Sequence, residues 1–210
     1  RRLLDTTGLV DLLPDVPGLA QGWGADVVHC PYCHGYEVRD RPIAGLGTAP
    51  GSAHQALLFR QLSADVVYVS HSTGPTTEQR ERFDALGIAV VDGPVNEVVR
   101  SGGAITGLVT PTGVLAREVV AVAPRMEARA GFLAELGLVP AEHPSGMGQH
   151  LVADATGRST VEGVWVAGNI TDLSAQVGAA AAAGAFAGAA INADLVEAGA
   201  LAALREVARL

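Results

Sequence analysis

The stretch that most constrains the fold is an alternation of apolar and glycine-rich segments in the first third of the chain. An apolar run, Arg41 to Leu46, leads into the glycine turn Gly45-x-Gly47, and a helical pattern follows from about Gly51 to Leu62. The next segment, Asp65 to Val69, is again apolar. A strand, a glycine turn, a helix and a second buried strand form the repeating unit of a parallel sheet. The sequence therefore predicts an α/β protein with a parallel sheet, in one large domain or two small ones.

The glycine turn of this unit has the features of a dinucleotide site, because amides at a helix N-terminus bind phosphate. Gly45 and Gly47 are the candidate NAD(P)-binding residues. The glycine spacing is one residue longer than the dinucleotide fingerprint, and Pro50 removes one amide that would face phosphate. Ser70 to Gly74 follow the second strand without the acidic residue or arginines that hold a ribose or its 2′-phosphate. A weakened NADP(H) site and a purely structural turn both stay open.

The remaining patterns predict further elements on both sides of this unit. We expect a proline-punctuated connection at Leu9 to Gly18, a surface helix at Thr76 to Leu86, strands at Ile88 to Val91, Val95 to Val99, Ala104 to Thr110, Glu118 to Val122 and Val161 to Ala167, a helix at Arg125 to Leu136, and a loop at Leu138 to Met147. The glycines at Gly102, Gly103 and Gly113 turn the chain between three of these strands, which predicts a β-meander appended to the parallel sheet.

Both cysteines of the chain lie in Cys30-Pro31-Tyr32-Cys33, and His34 follows them directly. A Cys-x-x-Cys pair can cycle between dithiol and disulfide, and its reactivity depends on how readily a thiolate forms. An imidazole titrates near neutral pH, so His34 could take a proton from a thiol or return one to a leaving sulfur. Two other interpretations stay open: half of a zinc site, for which the sequence has no second Cys or His pair, and a short structural disulfide. Redox catalysis is the leading interpretation.

The composition argues against several classes of function. A net charge of −8 offers no basic face to neutralise phosphates, so we expect no nucleic-acid partner. All 14 cationic residues are arginine, which excludes Schiff-base chemistry at lysine and a Walker-type lysine. The longest apolar run, Val177 to Ile191, is shorter than the ~20 residues of a membrane span, so we expect no membrane association.

A second glycine turn, Gly168-Asn169, follows the last predicted strand and precedes a long alanine- and glycine-rich helix that begins near Ser174. Free amides and a polar side chain at a helix N-terminus suit a cofactor's polyol, phosphate or electron-rich ring. An ordinary strand-to-helix turn is the alternative.

Three features together resemble the thioredoxin reductase-like, FAD-dependent pyridine nucleotide-disulfide oxidoreductases: the run from Cys30 to Glu37, the offset glycine turn, and the run from Gly168 to Asp172. The cysteine motif is most similar to the branch of dithiol oxidases that includes gliotoxin and holomycin oxidases. The resemblance implies that Cys33 makes the charge-transfer contact with the flavin, that Cys30 exchanges with substrate and that His34 is the acid or base. It also implies FAD contacts from Thr7, Gly8, Gly168, Asn169, Gln176 and Val177, and NAD(P) contacts from Gly45 and Gly47.

The resemblance further implies a Rossmann-like, FAD/NAD(P)-binding three-layer fold in a two-domain arrangement, with the domains in a definite order. Residues 1–24 would end the first half of an FAD-binding domain, residues 25–122 would form an NAD(P)-binding-like domain that carries the cysteines, and residues 123–210 would form the second FAD-binding half. In the family, a segment of about a hundred residues with the ADP-binding glycine fingerprint comes before this point. We therefore expect the chain to be a fragment.

The sequence thus predicts a cytoplasmic flavoprotein that passes electrons between a dithiol substrate, the redox-active Cys30/Cys33 disulfide and FAD, and that is a homodimer when full length. The expected partner is a small dithiol or disulfide, or a thioredoxin-like protein. Two alternatives stay open: an NADPH-dependent thioredoxin-disulfide reductase, and a non-catalytic fragment that cannot hold FAD alone. Since the family's oxidases need no nicotinamide, the absence of arginines in Ser70 to Gly74 favours the oxidase.

Overall fold

A computed structural model describes residues 1–209 of the 210-residue chain. Its strands in chain order are β1 (Leu3–Asp5), β2 (Leu9–Leu12), β3 (Val27–Val28), β4 (Ile43–Leu46), β5 (Val66–Val69), β6 (Ala89–Val91), β7 (Glu97–Ser101), β8 (Ala104–Thr110), β9 (Gly113–Leu115), β10 (Val119–Val122), β11 (Arg125–Ala128), β12 (Ala141–Glu142), β13 (Gln149–His150) and β14 (Val164–Val166). Its α-helices are α1 (Pro31–His34), α2 (Ser52–Phe59), α3 (Thr77–Leu86) and α4 (Val177–Val207). The chain divides into two compact units: Leu13–Pro124, and residues 1–12 together with the residues from 125 onward.

Five parallel strands form the sheet of the unit Leu13–Pro124, in the order β3-β10-β4-β5-β6. Every residue of β4, β5 and β10 is buried, as expected for strands that are covered on both faces. One face packs against α2 and α3, through Phe59 and Phe83, and the other packs against β7 and β8, through Val98 and Leu108. The predicted α/β, Rossmann-like unit is therefore confirmed in β4, α2 and β5.

The β-meander is present, but one of its strands was predicted wrongly. It consists of β7, β8 and β9, whereas Val119–Val122 lies in the parallel sheet between β3 and β4. The physical reason is burial. Val119–Val122 is apolar at every position and fits a strand covered on both faces, whereas β8 alternates exposed and buried residues in its first half.

In the other unit, β1 pairs in parallel with β14, and β2 pairs antiparallel with β11. The predicted helix at Arg125 to Leu136 is wrong, because Arg125–Ala128 is a strand and only Gly131–Leu136 is helical, as a short 3-10 helix. Charged and apolar residues alternate from Arg125 to Ala130, which is the period of a strand. The strand partner is Leu9–Leu12, which lies within the segment predicted to be a connection. The predicted loop at Leu138 to Met147 also contains β12, which pairs with β13.

Helix α4 is longer than its most apolar part indicated. It runs for 31 residues, from Val177 to Val207, and most of its residues are exposed. The expectation that this segment is too short for a membrane span was therefore wrong, since α4 is long and apolar enough to cross a membrane by length and composition. The core helix of a water-soluble protein meets the same criterion.

Candidate functional site

The two cysteines lie at the start of α1, directly after β3. Cys30 is the N-cap residue in extended conformation, and Pro31 takes the first helical position, where a missing amide costs no hydrogen bond. The amides of Cys33 and His34 donate to the Cys30 carbonyl at 3.2 and 3.0 Å. The short helix therefore places the two thiols about one turn apart, with Cys30 half-buried and Cys33 exposed.

Both cysteines are free thiols, and they interact with each other. A side-chain hydrogen bond with Cys30, together with partial burial, raises the pKa of Cys33 from 9.0 to about 11. Because the thiolate is the nucleophile in disulfide exchange, Cys33 is a poor attacking group at neutral pH in this state.

The surface beside the cysteines is aromatic. The side chains of Tyr32 and Tyr36 are 75% and 70% exposed. The Arg39 guanidinium lies 3.7 Å from the centre of the Tyr36 ring and donates to the Tyr36 carbonyl at 2.7 Å. His34 is exposed at the last position of α1, so its ring is open to solvent and to a bound substrate. Within residues 1–209 no group of three or more His, Cys, Asp or Glu side chains could hold a metal ion.

A buried ion pair holds the chain that enters the cysteine motif. The Asp26 carboxylate accepts hydrogen bonds from the Arg100 guanidinium at 2.9 Å and from the Ile105 amide at 2.9 Å. Both charged side chains are at least 87% buried. This contact joins the start of β3 to the β-meander, and the sequence analysis did not identify it because the two residues are far apart in the chain.

A second buried contact reaches the motif itself and was also missed. Gln55 of α2 donates from Nε2 to the His29 carbonyl at 2.6 Å, and only 7% of Gln55 is exposed. The signal in the sequence is a polar residue on the buried face of a helix, one position before Ala56 and four before Phe59, both of which are fully buried.

The glycine turn after β4 is filled by the chain itself. Gly47 is buried, and a Cβ atom at this position would lie 2.3 Å from the Thr73 carbonyl oxygen and 2.5 Å from the Tyr68 hydroxyl. The amides of Ser72 and Thr73 donate to the Gly47 carbonyl at 3.0 and 2.9 Å, and the Tyr68 hydroxyl donates to the Thr73 carbonyl at 2.7 Å. The segment after β5 therefore folds back over the turn where a dinucleotide would lie.

The amides of this turn are also satisfied internally. Those of Thr48 and Ala49 both donate to the Ser52 hydroxyl oxygen at 3.1 Å, and Ser52 is fully buried. Gly45 lies in β4, where a Cβ atom would come 3.1 Å from the Cβ of Ala56, so its small size permits close packing of α2 on the sheet. Both candidate NAD(P) glycines thus have packing roles, and the turn has lost two of its anion-binding donors.

The candidate flavin-binding residues lie in the other unit, after the parallel strands β1 and β14. Gly8 and Gly168 have φ angles of 74° and 92°, which favour glycine. A Cβ atom on Gly8 would lie 3.1 Å from Oδ1 of Asn169. Gln176 is the N-cap of α4, and Val177, its first residue, is 88% exposed. The structure thus brings Gly8, Gly168 and Asn169 together and leaves the N-terminus of α4 open.

Thr7 differs from the other candidates. Its hydroxyl donates to the Arg129 carbonyl at 2.9 Å and its amide donates to the Asp5 carboxylate at 3.0 Å. Both polar groups of Thr7 therefore stabilise the fold. Asp5 is buried, and within the described chain its second carboxylate oxygen has no hydrogen-bond partner.

No protein-family model matches the chain. A thioredoxin reductase, tcpT, of Claviceps purpurea is 38% identical over 92 residues, which cover 42% of this chain and 29% of that protein. A thioredoxin reductase, sirT, of Leptosphaeria maculans is 48% identical over 46 residues, which cover 22% of this chain and 14% of that protein. The chain therefore matches less than a third of the length of these curated relatives.

Among solved structures, HlmI is 40% identical with a TM-score of 0.88, and the match covers 100% of this chain and 64% of HlmI. An oxidoreductase from Agrobacterium tumefaciens is 28% identical with a TM-score of 0.82, over 93% of this chain and 64% of that one. A thioredoxin reductase, TrxB, from Bacillus anthracis is 23% identical and has a TM-score of 0.81 over 93% of this chain and 65% of that one, which shows the fold alone. In sequence and fold, the chain is therefore similar to thioredoxin reductase-like proteins.

Proposed function

We propose that the chain carries the redox-active disulfide of an FAD-dependent thiol/disulfide oxidoreductase, and that a dithiol substrate, not NADPH, supplies the electrons. The observation that carries this proposal is the placement of a Cys-Pro-Tyr-Cys pair, with Cys30 half-buried and Cys33 exposed, on a unit whose nucleotide-type turn is filled by its own residues. Thr48 and Ala49 donate to Ser52 where they would otherwise face phosphate. A dinucleotide would have to displace both this serine and the segment that covers Gly47.

The exchange step follows from the state of the two sulfurs. A substrate thiolate attacks Cys30 of the oxidised pair, the Cys30–Cys33 bond breaks, and Cys33 leaves as a thiolate. The second thiolate of the substrate then attacks the substrate sulfur of the mixed disulfide. The substrate is released as a disulfide, and Cys30 is released as a thiolate. The exposed His34 ring is in position to exchange protons with solvent. The pair has then gained two electrons.

When bound, FAD would supply the two-electron acceptor that links the reduced pair to oxygen. The residues after β1 and β14 fit such a group, since two glycines with positive φ leave room beside Asn169 and the N-terminus of α4 is exposed. The side-chain amide of Asn169 can hydrogen-bond to a ribityl hydroxyl, and Gly8 and Gly168 would allow the cofactor to approach the backbone. Since the relatives are longer than this chain, the activity of the whole enzyme is part of the proposal.

The test uses the 210-residue chain mixed with FAD and freed of unbound cofactor. Under anaerobic conditions, dithiothreitol should bleach the retained flavin and produce the long-wavelength absorption band of a charge-transfer contact between Cys33 and the flavin. An equal concentration of NADPH should do neither. The control is a Cys30→Ser, Cys33→Ser double variant, which should not bleach beyond the rate of free FAD with dithiothreitol. Rapid bleaching by NADPH would support the disulfide reductase alternative and contradict our proposal.

A chain that retains no FAD would favour the third alternative, a non-catalytic piece. The likeness to proteins named thioredoxin reductase makes a thioredoxin-like protein the second candidate substrate. Measuring the reaction with the disulfide of such a protein and the reaction with dithiothreitol distinguishes this candidate from a small dithiol. We further propose a cytoplasmic location and, for the full-length protein, a homodimer of the kind that the family resemblance implies.

A further inference from the structure

We propose that Gln55 is a positioning residue for the Cys30/Cys33 pair. By holding the His29 carbonyl, it fixes the peptide unit from which Cys30 projects and so sets the thiol–disulfide equilibrium of the pair. This inference rests on the proposed function, because it assigns a role to Gln55 in the same redox reaction.

The peptide groups on the two sides of Cys30 are held by different contacts. The carbonyl of Cys30 is held within α1 by the amides of Cys33 and His34, so the C-terminal side of Cys30 is fixed by local helix bonds. On the N-terminal side, the His29 carbonyl accepts from Gln55 Nε2 at 2.6 Å. Since Gln55 lies on α2, this bond ties the peptide before Cys30 to the helix that covers the parallel sheet.

A second contact anchors the far end of α1 on the segment after α2. Gly35 is buried, and a Cβ atom there would lie 2.3 Å from Cδ1 of Leu62 and 2.2 Å from the Pro31 carbonyl oxygen. The cysteine motif is thus held near both of its ends by α2 and the residues that follow it. The contact from Gln55 is a polar side-chain bond to the backbone immediately before Cys30, and a single substitution can remove it.

The side-chain amide of Gln55 also destabilises the fold, which an apolar side chain at this position would not do. A carbonyl can only accept, so Nε2 must face His29, and this leaves Oε1 pointing elsewhere. Within residues 1–209 that oxygen is buried and has no hydrogen-bond partner. A buried acceptor without a partner destabilises the fold, and a leucine or methionine would avoid this. Local conflicts of this kind are expected where a side chain serves the chemistry of a site.

The experiment measures the equilibrium of the pair with glutathione and needs no flavin. One oxidised glutathione takes two electrons from Cys30 and Cys33, which form a disulfide as two reduced glutathione molecules are released. The whole chain and its Gln55→Met variant, which keeps the side-chain length but has no donor, are equilibrated in glutathione buffers, and free thiols are counted. We expect the equilibrium constant of the variant to differ from wild type at least threefold, which is about 14 mV at 29.6 mV per tenfold.

The matched control is Gln61→Met. Gln61 is an exposed glutamine in the turn that follows α2, and its substitution should leave the constant within measurement error of wild type. Gln55→Glu is the second variant. Its carboxylate cannot donate at pH 8, but a protonated carboxyl can, so we expect its constant to differ from wild type at pH 8 and to return toward the wild-type value at pH 5.

A merely structural glutamine would not produce this pH-dependent recovery. The proposal is overturned if folded Gln55→Met protein, checked by circular dichroism, matches Gln61→Met, or if the deviation of Gln55→Glu is the same at both pH values. If Gln55→Met does not fold, the pH comparison with Gln55→Glu decides. A wild-type pair that forms no disulfide in any glutathione buffer would refute the proposed function, and the role of Gln55 with it.

Discussion

The clearest test of the closed glycine turn is the substitution of Gly47 by alanine. The added Cβ would lie 2.3 Å from the Thr73 carbonyl oxygen, 2.9 Å from the Ser70 carbonyl oxygen and 2.5 Å from the Tyr68 hydroxyl. Two of these neighbours are backbone atoms of the segment that folds over the turn, so they cannot move aside by a rotamer change. Forced overpacking costs about 1–3 kcal/mol. Loss of the hydrogen bond from Tyr68 to Thr73 adds about 1 kcal/mol.

We therefore expect Gly47→Ala to lower the free energy of unfolding by about 2–4 kcal/mol. In a chain of this size, that corresponds to a decrease in melting temperature of about 4–16 °C. Urea denaturation followed by circular dichroism measures the free energy directly.

The control is Gly51→Ala in the same motif. No atom lies within 4 Å of a Cβ at Gly51, and its φ of −76° is compatible with alanine, so the expected change is within about 1 kcal/mol. Equal effects of the two substitutions would refute the packing argument. A tightening of NADPH binding in Gly47→Ala would show that the segment after β5 is a movable cover and not a fixed part of the fold.

Three further predictions concern charged and titrating groups. Arg100→Leu should lower the free energy of unfolding, measured by urea denaturation, by about 3–5 kcal/mol, because it leaves the Asp26 carboxylate buried without its partner. Arg82→Leu, which breaks an exposed pair on α3, should lower it by less than about 1 kcal/mol, and similar values for the two variants would contradict the burial argument. Burial lowers the pKa of His71, whose Nδ1 accepts from the Val95 amide, so its contribution to stability is complete above pH ~6.5 and is lost as the pH falls through and below that value. His71→Asn, which tolerates the φ of 35° and does not titrate, should weaken this acid sensitivity in melts between pH 5 and 8, and an unchanged pH dependence would argue against it. Cys30→Ala removes the group that raises the pKa of Cys33. Iodoacetamide should therefore label Cys33 of this variant about tenfold faster than Cys33 of the wild type at pH 8, as measured by mass spectrometry. An unchanged rate would contradict the interaction of the two thiols.

Local sequence patterns were sufficient for the elements that repeat over many residues. The alternation of apolar strands with a glycine turn and a helix predicted β4, α2 and β5, because burial on both faces of a parallel strand requires an unbroken apolar run. The capping box of Thr76 and Gln79 and the left-handed Gly87 agree with the predicted ends of α3. The same patterns failed for Arg125–Ala128, where residues that favour helices form a strand because Leu9–Leu12 lies opposite.

Local sequence was sufficient to identify the Cys-x-x-Cys motif and to predict the parallel α/β sheet, since both depend on residues that are close together in the chain. The surroundings of the motif and the sheet depend on contacts between residues that are far apart in the chain. Gln55 reaches the carbonyl before Cys30 from 26 positions along the chain, and the segment from Ser70 to Thr73 covers Gly47 because parallel strands bring their carboxyl ends to the same edge of a sheet. From the glycine spacing, a nucleotide site and a structural turn were both possible interpretations. The hydrogen bonds within the turn favour the structural turn.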